Sequence, residues 1–419
     1  MSQTTAEKLI SRKAGKTVHA GDLSIVDVDG AMATDATAPF AIQAFREMGG
    51  KQLWDAEKVS LILDHATPAP NERISNLHTM MREFAKEMGC HFYDVGEGIC
   101  HQLMVENEHV RPGDIFMGAD SHTPTYGALN AFSAGVGSTD LAAVLYTGKI
   151  WLKTPESMRI ELVGELPKGI TAKDLILHLV GKVGMAGATY MAIEYTGEAI
   201  RDFTLASRMV LANMAAEMGA KAGLVDPTGL SLWYDDWQPT FPDADATYAV
   251  QHRVDVSQLK PQVALPNLPS NVEDIDVALG TKIHQAFIGS CTNARLEDLQ
   301  IAARIMDGKK VADGVRFLVY PASRKVYNDA LADGTIATLS QAGVSILSSG
   351  CGPCVGTLGG IPGDGEVVIS STNRNFQGRM GNPKAEIYLA SPAVVAASAL
   401  TGEITNPADV LDSTAWELL

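Results

Sequence analysis

Positive charge is scarce in this chain: 33 lysines and arginines stand against 49 aspartates and glutamates, a formal net charge of -16 over 419 residues. So acidic a surface repels nucleic acid, and no nucleic-acid partner is expected. It also repels an anionic small molecule unless arginines, amides or a metal are placed locally to receive one. Long hydrophobic runs are missing as well. No stretch approaches the length of a membrane span, and the opening MSQTTAEKLISRKAG is polar and helical in pattern, lacking the apolar centre of a secretory leader. No membrane partner is therefore expected. Cysteines are few and odd in number, five in all, and with no leader before them they read as free thiols in a reducing compartment, the cytoplasm. Repeats and low-complexity segments are also absent. With 46% hydrophobic residues at this length, the chain has material for two or three cores, which predicts a multidomain globular enzyme.

Short apolar runs alternate with helix-length amphipathic stretches, the rhythm of an α/β protein with mainly parallel strands. In the first third LSIVDVD, VSLILDH, CHFYDV and DIFMGAD read as buried strands. A second region opens near Met158 with MRIELVG and a Leu-Pro-Lys-Gly turn. There Thr171 and Asp174 predict a capping box, and Leu175, Ile176, Leu179, Val180 and Val183 the apolar stripe of the helix it starts. The stretch PQVALPNLPSNVEDIDVALGTK, rich in proline and asparagine, reads as a linker into a last region whose strands are HQAFIG, VRFLVY, VSILSS and EVVISS. Three α/β domains are expected, over 1–157, 158–280 and 281–419.

Three of the cysteines carry a chemical signal: Cys291 in FIGSCTNAR, then Cys351 and Cys354 in SSGCGPCVG. Three thiolates leave a metal centre with one position open to substrate or water, whereas four would close it. Gly289, Ser290, Gly350, Gly352 and Gly356 allow tight backbone turns that aim N–H groups at anionic sulfur. Spacing alone leaves other readings open: buried structural thiols, a redox pair at Cys351 and Cys354, or a zinc site completed by a histidine. These motifs begin where an apolar run ends, as does STNRNFQGR with Asn373 and Arg374. Such positions are where open α/β sheets bind ligands. Asp64 and His65 end VSLILDH, His101 follows CHFYDVGEGIC, and Asp120 and His122 end DIFMGADSH. Asn213 and Glu217, four apart in LANMAAEMGAK, share a helix face that reads unaided as solvated, while Met214 and Met218 read as core. His19, His78, His91, His109, His178, His252 and His284 read as surface or satisfied core residues.

In their order, FIGSCTNAR, GCGPCVG and STNRNFQGR resemble the motifs of the aconitase superfamily, and the resemblance runs along essentially the whole chain. It implies an aconitase-like α/β fold around a central cleft and a 4Fe-4S cluster held by Cys291, Cys351 and Cys354, with one iron not bound by cysteine. It further implies three acid–histidine partnerships: Asp64 with His65, Asp120 with His101, and Glu217 with His122. Asn213, Asn373, Arg374 and Arg379 match substrate-binding positions, and Asn293 matches a position beside the cluster. The implied reaction is dehydration of a hydroxy acid bearing two or more carboxylates, followed by rehydration at the neighbouring carbon. Several branches of the family with different hydroxy-acid substrates share this apparatus, and the choice among them stays open.

Two departures from the pattern matter. Thr34 stands where aconitases have a glutamine that contacts citrate, which argues against citrate as substrate. The family's fourth domain, with its serine base and accompanying arginine, has no counterpart here, so a small subunit is the expected partner. A cluster-free RNA-binding regulator, known among relatives, fits poorly with the acidic balance and the missing domain. A pure electron carrier would close its cluster with a fourth cysteine.

Overall fold

Runs rich in valine, isoleucine and leucine form the inner strands of three sheets in the computed structural model, which describes residues 2–411. The first sheet is wholly parallel, in the order His91–Tyr93, Val59–Ile62, Gly30–Thr34, Ile115–Gly118, Phe132–Gly135. The second, also parallel, runs Ala222–Val225, Ala192–Thr196, Ser157–Val163, Val250–Asp255. In the third, five parallel strands run Glu386–Ala390, Val367–Ser370, Gln285–Ile288, Arg316–Val319, Ser345–Ile346. Parallel strands need crossover connections and cover on both faces, which the intervening helices supply.

Strand order locates the clefts. In the first sheet it reverses between Gly30–Thr34 and Ile115–Gly118, and in the third between Gln285–Ile288 and Val367–Ser370. Crevices at the carboxyl ends of such pairs are where open α/β sheets bind ligands. Asp35 and Asp120 follow the first pair; Cys291 and Asn373 follow the second.

The helix expected at Thr171 is Ala172–Val183, with Thr171 as N-cap and the reciprocal box with Asp174 in place. Leu175, Ile176, Leu179 and Val180 are fully buried and Val183 partly so, while His178 is half-buried. Two expectations need correcting. LSIVD is no buried strand: among the described residues Leu23–Asp27 pairs only with Lys149–Lys153, antiparallel, and Leu23 and Ile25 face outward, 65% and 67% exposed. A two-stranded ribbon has only one face to press on the core. The segment read as a linker instead supplies Gln262–Ala264 and Val272–Asp274, antiparallel strands at one edge of the third sheet. Its prolines and asparagines occupy the turn between them and the flanks, where no ladder bond is lost. Residues 412–419 of the expected last domain lie outside the described residues.

Candidate active site

Each chemical motif sits where backbone geometry departs from the strand before it. Cys291 follows Gln285–Ile288 through Gly289 and Ser290, and Ser290 adopts φ 75°, unusual for a residue with a side chain. Cys351 caps the start of a short 3-10 turn, Gly352–Val355, that contains Cys354 and is closed by Gly356 at φ 71°. A Cβ on Gly356 would lie 2.4 Å from the Gly381 nitrogen, so this residue must be glycine for the cysteine loop to meet the 378–381 turn.

All three thiols are buried and none is in a disulfide. The Asn213 Nδ2–H donates to Cys291 Sγ at 3.2 Å, and Asn373 Nδ2 lies 3.6 Å from the same sulfur while donating to Asn213 Oδ1. Burial pushes the Cys291 thiol up to about 12, with Asp120 and Cys354 adding to it, and pushes Cys351 well above the ordinary range. Buried thiols with amide donors aimed at one sulfur become thiolates only beside a compensating cation. Three soft ligands of this kind fit an iron-sulfur cluster. The thiols also lie next to harder ligands. Asp64, His65 and Cys351 each bring one ligand-capable atom to within 4.8 Å of the others.

The three acid–histidine pairs are present as contacts. Asp64 and His65 come after the strand Val59–Ile62 has ended, so adjacent side chains turn the same way and Asp64 Oδ1 meets His65 Nδ1 at 2.7 Å. Asp120 bridges two rings, with Oδ1 2.8 Å from His101 Nε2 and Oδ2 3.5 Å from His65 Nε2. Glu217 Oε1 lies 3.1 Å from His122 Nε2 and accepts from Arg374 Nε at 2.7 Å. Arg374 Nη1 also donates to Ser121 Oγ at 3.1 Å. A main-chain bond joins this cluster to the cysteine loop, the Cys351 N–H donating to the Asp64 carbonyl at 2.8 Å, and the Cys100 N–H, at the start of the helix that carries His101, donates to Asp64 Oδ2, also at 2.8 Å.

The charges are set by these contacts. Burial alone would lower the His65 pKa, but the Asp64 and Asp120 carboxylates outweigh it and hold the ring well above its usual value. Burial would raise Asp120 and Glu217, yet their imidazole partners, joined for Glu217 by Arg374, hold both below the ordinary carboxylate range. In His122 burial and Arg374 prevail over Glu217, and its value is lowered. A cavity of about 570 Å³ opens beside these groups, lined among others by Thr37, Asp120, Ser121, Lys221 and Arg374.

Other expectations divide. Asn213 and Glu217 are 0% and 5% exposed, which overturns the unaided reading of a solvated face. Asn213 lies on the helix Leu205–Met214 and faces Cys291, and Glu217 lies on the 3-10 turn Ala215–Met218 that follows and faces His122 and Arg374. Met214 and Met218 are core. Asn293 donates to Asp298 at 2.9 Å. Arg379 touches none of the pairs; its guanidinium has no hydrogen-bond or ion-pair partner among the described residues, and its Nε is enclosed. His78 is a satisfied core residue on Asp35, as read.

Two site residues escaped the sequence reading. Asp35, buried, accepts the backbone N–H groups of Asp64, His65 and Ala66 at 3.3, 2.9 and 2.7 Å and so shapes the turn that carries the first pair. Its signal was its place after Gly30–Thr34, a strand hidden by its small residues. Arg295, also buried, donates to the carbonyls of Cys291 and Thr292 at 2.8 and 2.6 Å and to Gln102 Oε1 at 3.0 Å, pinning the Cys291 loop beside His101.

Comparison with known proteins gives a family and close relatives. Residues 7–279 and 276–402 match the aconitase family, described as aconitate hydratase. The 3-isopropylmalate dehydratase large subunit 1 of Methanopyrus kandleri is 49% identical over 414 residues, spanning 97% of this chain and 99% of that protein. Large subunit 1 of the same enzyme in Thermotoga maritima is 45% identical, with the same two coverages. A Methanosarcina mazei protein named "Probable methanogen homoaconitase large subunit" is 47% identical over 390 residues, 91% of this chain and 99% of its own. Among solved structures, the holo form of Thermococcus kodakaraensis aconitase X matches with a TM-score of 0.52 at 15% identity, covering 90% of this chain and 94% of that one. This likeness bears on the fold alone.

Proposed function

This chain belongs to the aconitase family, and from that premise we propose that it is the large subunit of a 3-isopropylmalate dehydratase, an iron-sulfur hydro-lyase of leucine biosynthesis. It interconverts 2-isopropylmalate and 3-isopropylmalate through isopropylmaleate. The observation that carries the reading is the meeting, in one cleft, of three buried free thiols with three carboxylate–histidine pairs.

Cys291, Cys351 and Cys354 would hold a 4Fe-4S cluster. When bound, the cluster supplies a Lewis acid at the iron left without a cysteine. The chain's own groups do the rest. His65, kept protonated by Asp64 and Asp120, gives its proton to the departing hydroxyl. His122, neutral and oriented by Glu217, accepts a hydrogen bond from the water that returns. Arg374, fixed by Glu217 and Ser121, and Arg379, whose guanidinium is unengaged, receive substrate carboxylates. Asn213 and Asn373 brace Cys291. A small subunit contributes the base that removes the carbon-bound proton, and the pair works in the cytoplasm, where thiols stay reduced.

A homoaconitase relative of similar identity makes homocitrate the rival substrate. With the small subunit co-expressed, kcat/KM measured for isopropylmalate, homocitrate, dimethylmalate and citraconate decides. The proposal expects isopropylmalate to lead by about tenfold or more, the scale on which apolar pockets separate such side chains. A lead for homocitrate would overturn the substrate assignment and leave the chemistry standing.

A further inference from the structure

Lys173 is the second residue of the helix Ala172–Val183 and is 0% exposed. Its Nζ donates to the carbonyls of Ser371 and Thr372, both at 2.8 Å, and lies 3.4 Å from Met214 Sδ. No carboxylate among the described residues comes within ion-pair distance of it. Ser371 and Thr372 immediately precede Asn373 and Arg374, and Met214 follows Asn213. One ammonium therefore touches both segments whose asparagines meet at Cys291 Sγ.

A buried cation without a contacting anion is costly, and carbonyl dipoles compensate it only in part. Burial accordingly draws Lys173 down to about 8, while Glu217, Cys291, Asp298 and Cys354 oppose that fall. Two of those four are cysteines assigned to the cluster, so the charge that lacks a direct partner stands near groups that become anionic on loading.

We infer that Lys173 is a positioning residue of the cluster site: its ammonium locks the Asn213 and Asn373 segments against Cys291 and offsets the negative charge of the thiolate-held cluster. This rests on the cluster reading above. Lysine at this position would then act through Asn213 and Asn373, without touching substrate.

The test uses the two-subunit complex, reconstituted anaerobically, as wild type, Lys173→Met and Lys173→Gln. Methionine keeps the length and removes charge and donors; glutamine restores a neutral donor. The inference expects both variants to assemble with wild-type far-UV circular dichroism and to take up iron and sulfide. It expects cluster absorbance in air to decay faster, by about tenfold in the methionine variant, the worth of one charge-assisted hydrogen bond, and less in the glutamine variant. The midpoint potential of the cluster should move to more negative values in both, because a nearby positive charge favours the reduced form. KM for substrate should change little while kcat falls. Wild-type lifetime and potential in both variants would overturn the inference, as would failure of both to fold, which would make Lys173 a core residue only. Wild-type complex that forms no iron-sulfur absorbance would instead overturn the cluster reading itself.

Discussion

Glu217 concentrates the electrostatics of the cleft in one side chain. Its Oε1 meets both His122 and Arg374, and those partners overcome the effect of burial to keep it ionised. Replacing it with glutamine removes the charge while keeping the shape, and kcat should fall by about a hundredfold, the scale of a lost acid-base partnership. The same variant carries a stability signature. A carboxyl whose folded pKa is depressed stabilises the protein above its ordinary value of 4.5, and that contribution is lost as pH falls through the folded value. Urea midpoints measured between pH 6 and pH 3 (an assay range spanning the usual carboxylate values) should therefore drop less steeply in Glu217→Gln than in wild type; parallel curves would count against the pairing. At Cys351 the expected outcome is different. Cys351→Ser should lose the visible absorbance of the cluster and all turnover, with far-UV circular dichroism unchanged, because the loop is also held by its own N–H to the Asp64 carbonyl. Much of this site was legible at the residue level because cysteines, histidines and carboxylates carry their chemistry with them. Asp35, Lys173 and Arg295 were not, since what they do depends on partners distant in sequence. Lys173 and Ser371, for instance, are 198 positions apart.

Elements bring those side chains together through two kinds of local feature, strand ends and close backbone approaches. The runs VSLILDH, DIFMGAD, HQAFIG and EVVISS were readable as strands because β-branched and large apolar residues are continuous in them. Each delivers its motif two to four residues past its carboxyl end. GAMAT was not readable, since glycine and alanine carry little strand preference, yet it is a central strand of the first sheet, buried throughout. The short turn Thr123–Leu129 shows why packing outranks propensity. It follows His122, holds Thr125 against Asn213, and presses Gly127 onto the second sheet so closely that a Cβ there would sit 1.8 Å from the Gly223 carbonyl oxygen. Gly127→Ala must push the turn off the strand Ala222–Val225. A loss of about 1–3 kcal/mol in urea denaturation is expected, as for other overpacked sites, with a parallel drop in kcat because His122 moves with the turn. A variant of unchanged stability and activity would show that the contact is not rigid.

At the scale of the whole molecule, the first and third sheets bring their carboxyl ends to a common cleft, and the helix and 3-10 turn that connect two strands of the second contribute Asn213 and Glu217. An acidic chain thereby gathers Arg374 and Lys221 around a site proposed for a dicarboxylate, as its overall charge requires. The α/β class and the order of the motifs were legible in the sequence. That two sheets and a connection of the third meet at one cleft was not, because it depends on contacts between segments far apart in the chain, such as Asn213 and Asn373, 160 positions apart. The central claim is that Cys291, Cys351 and Cys354 carry a 4Fe-4S cluster with one iron free of cysteine. Iron and sulfide analysis with Mössbauer spectroscopy of anaerobically prepared protein tests it most directly. The account predicts about four iron and four sulfide per chain, with one iron spectroscopically distinct and shifting when the substrate hydroxy acid is added in the presence of the small subunit. Zinc without sulfide, or a cluster whose irons are all equivalent and indifferent to substrate, would contradict it.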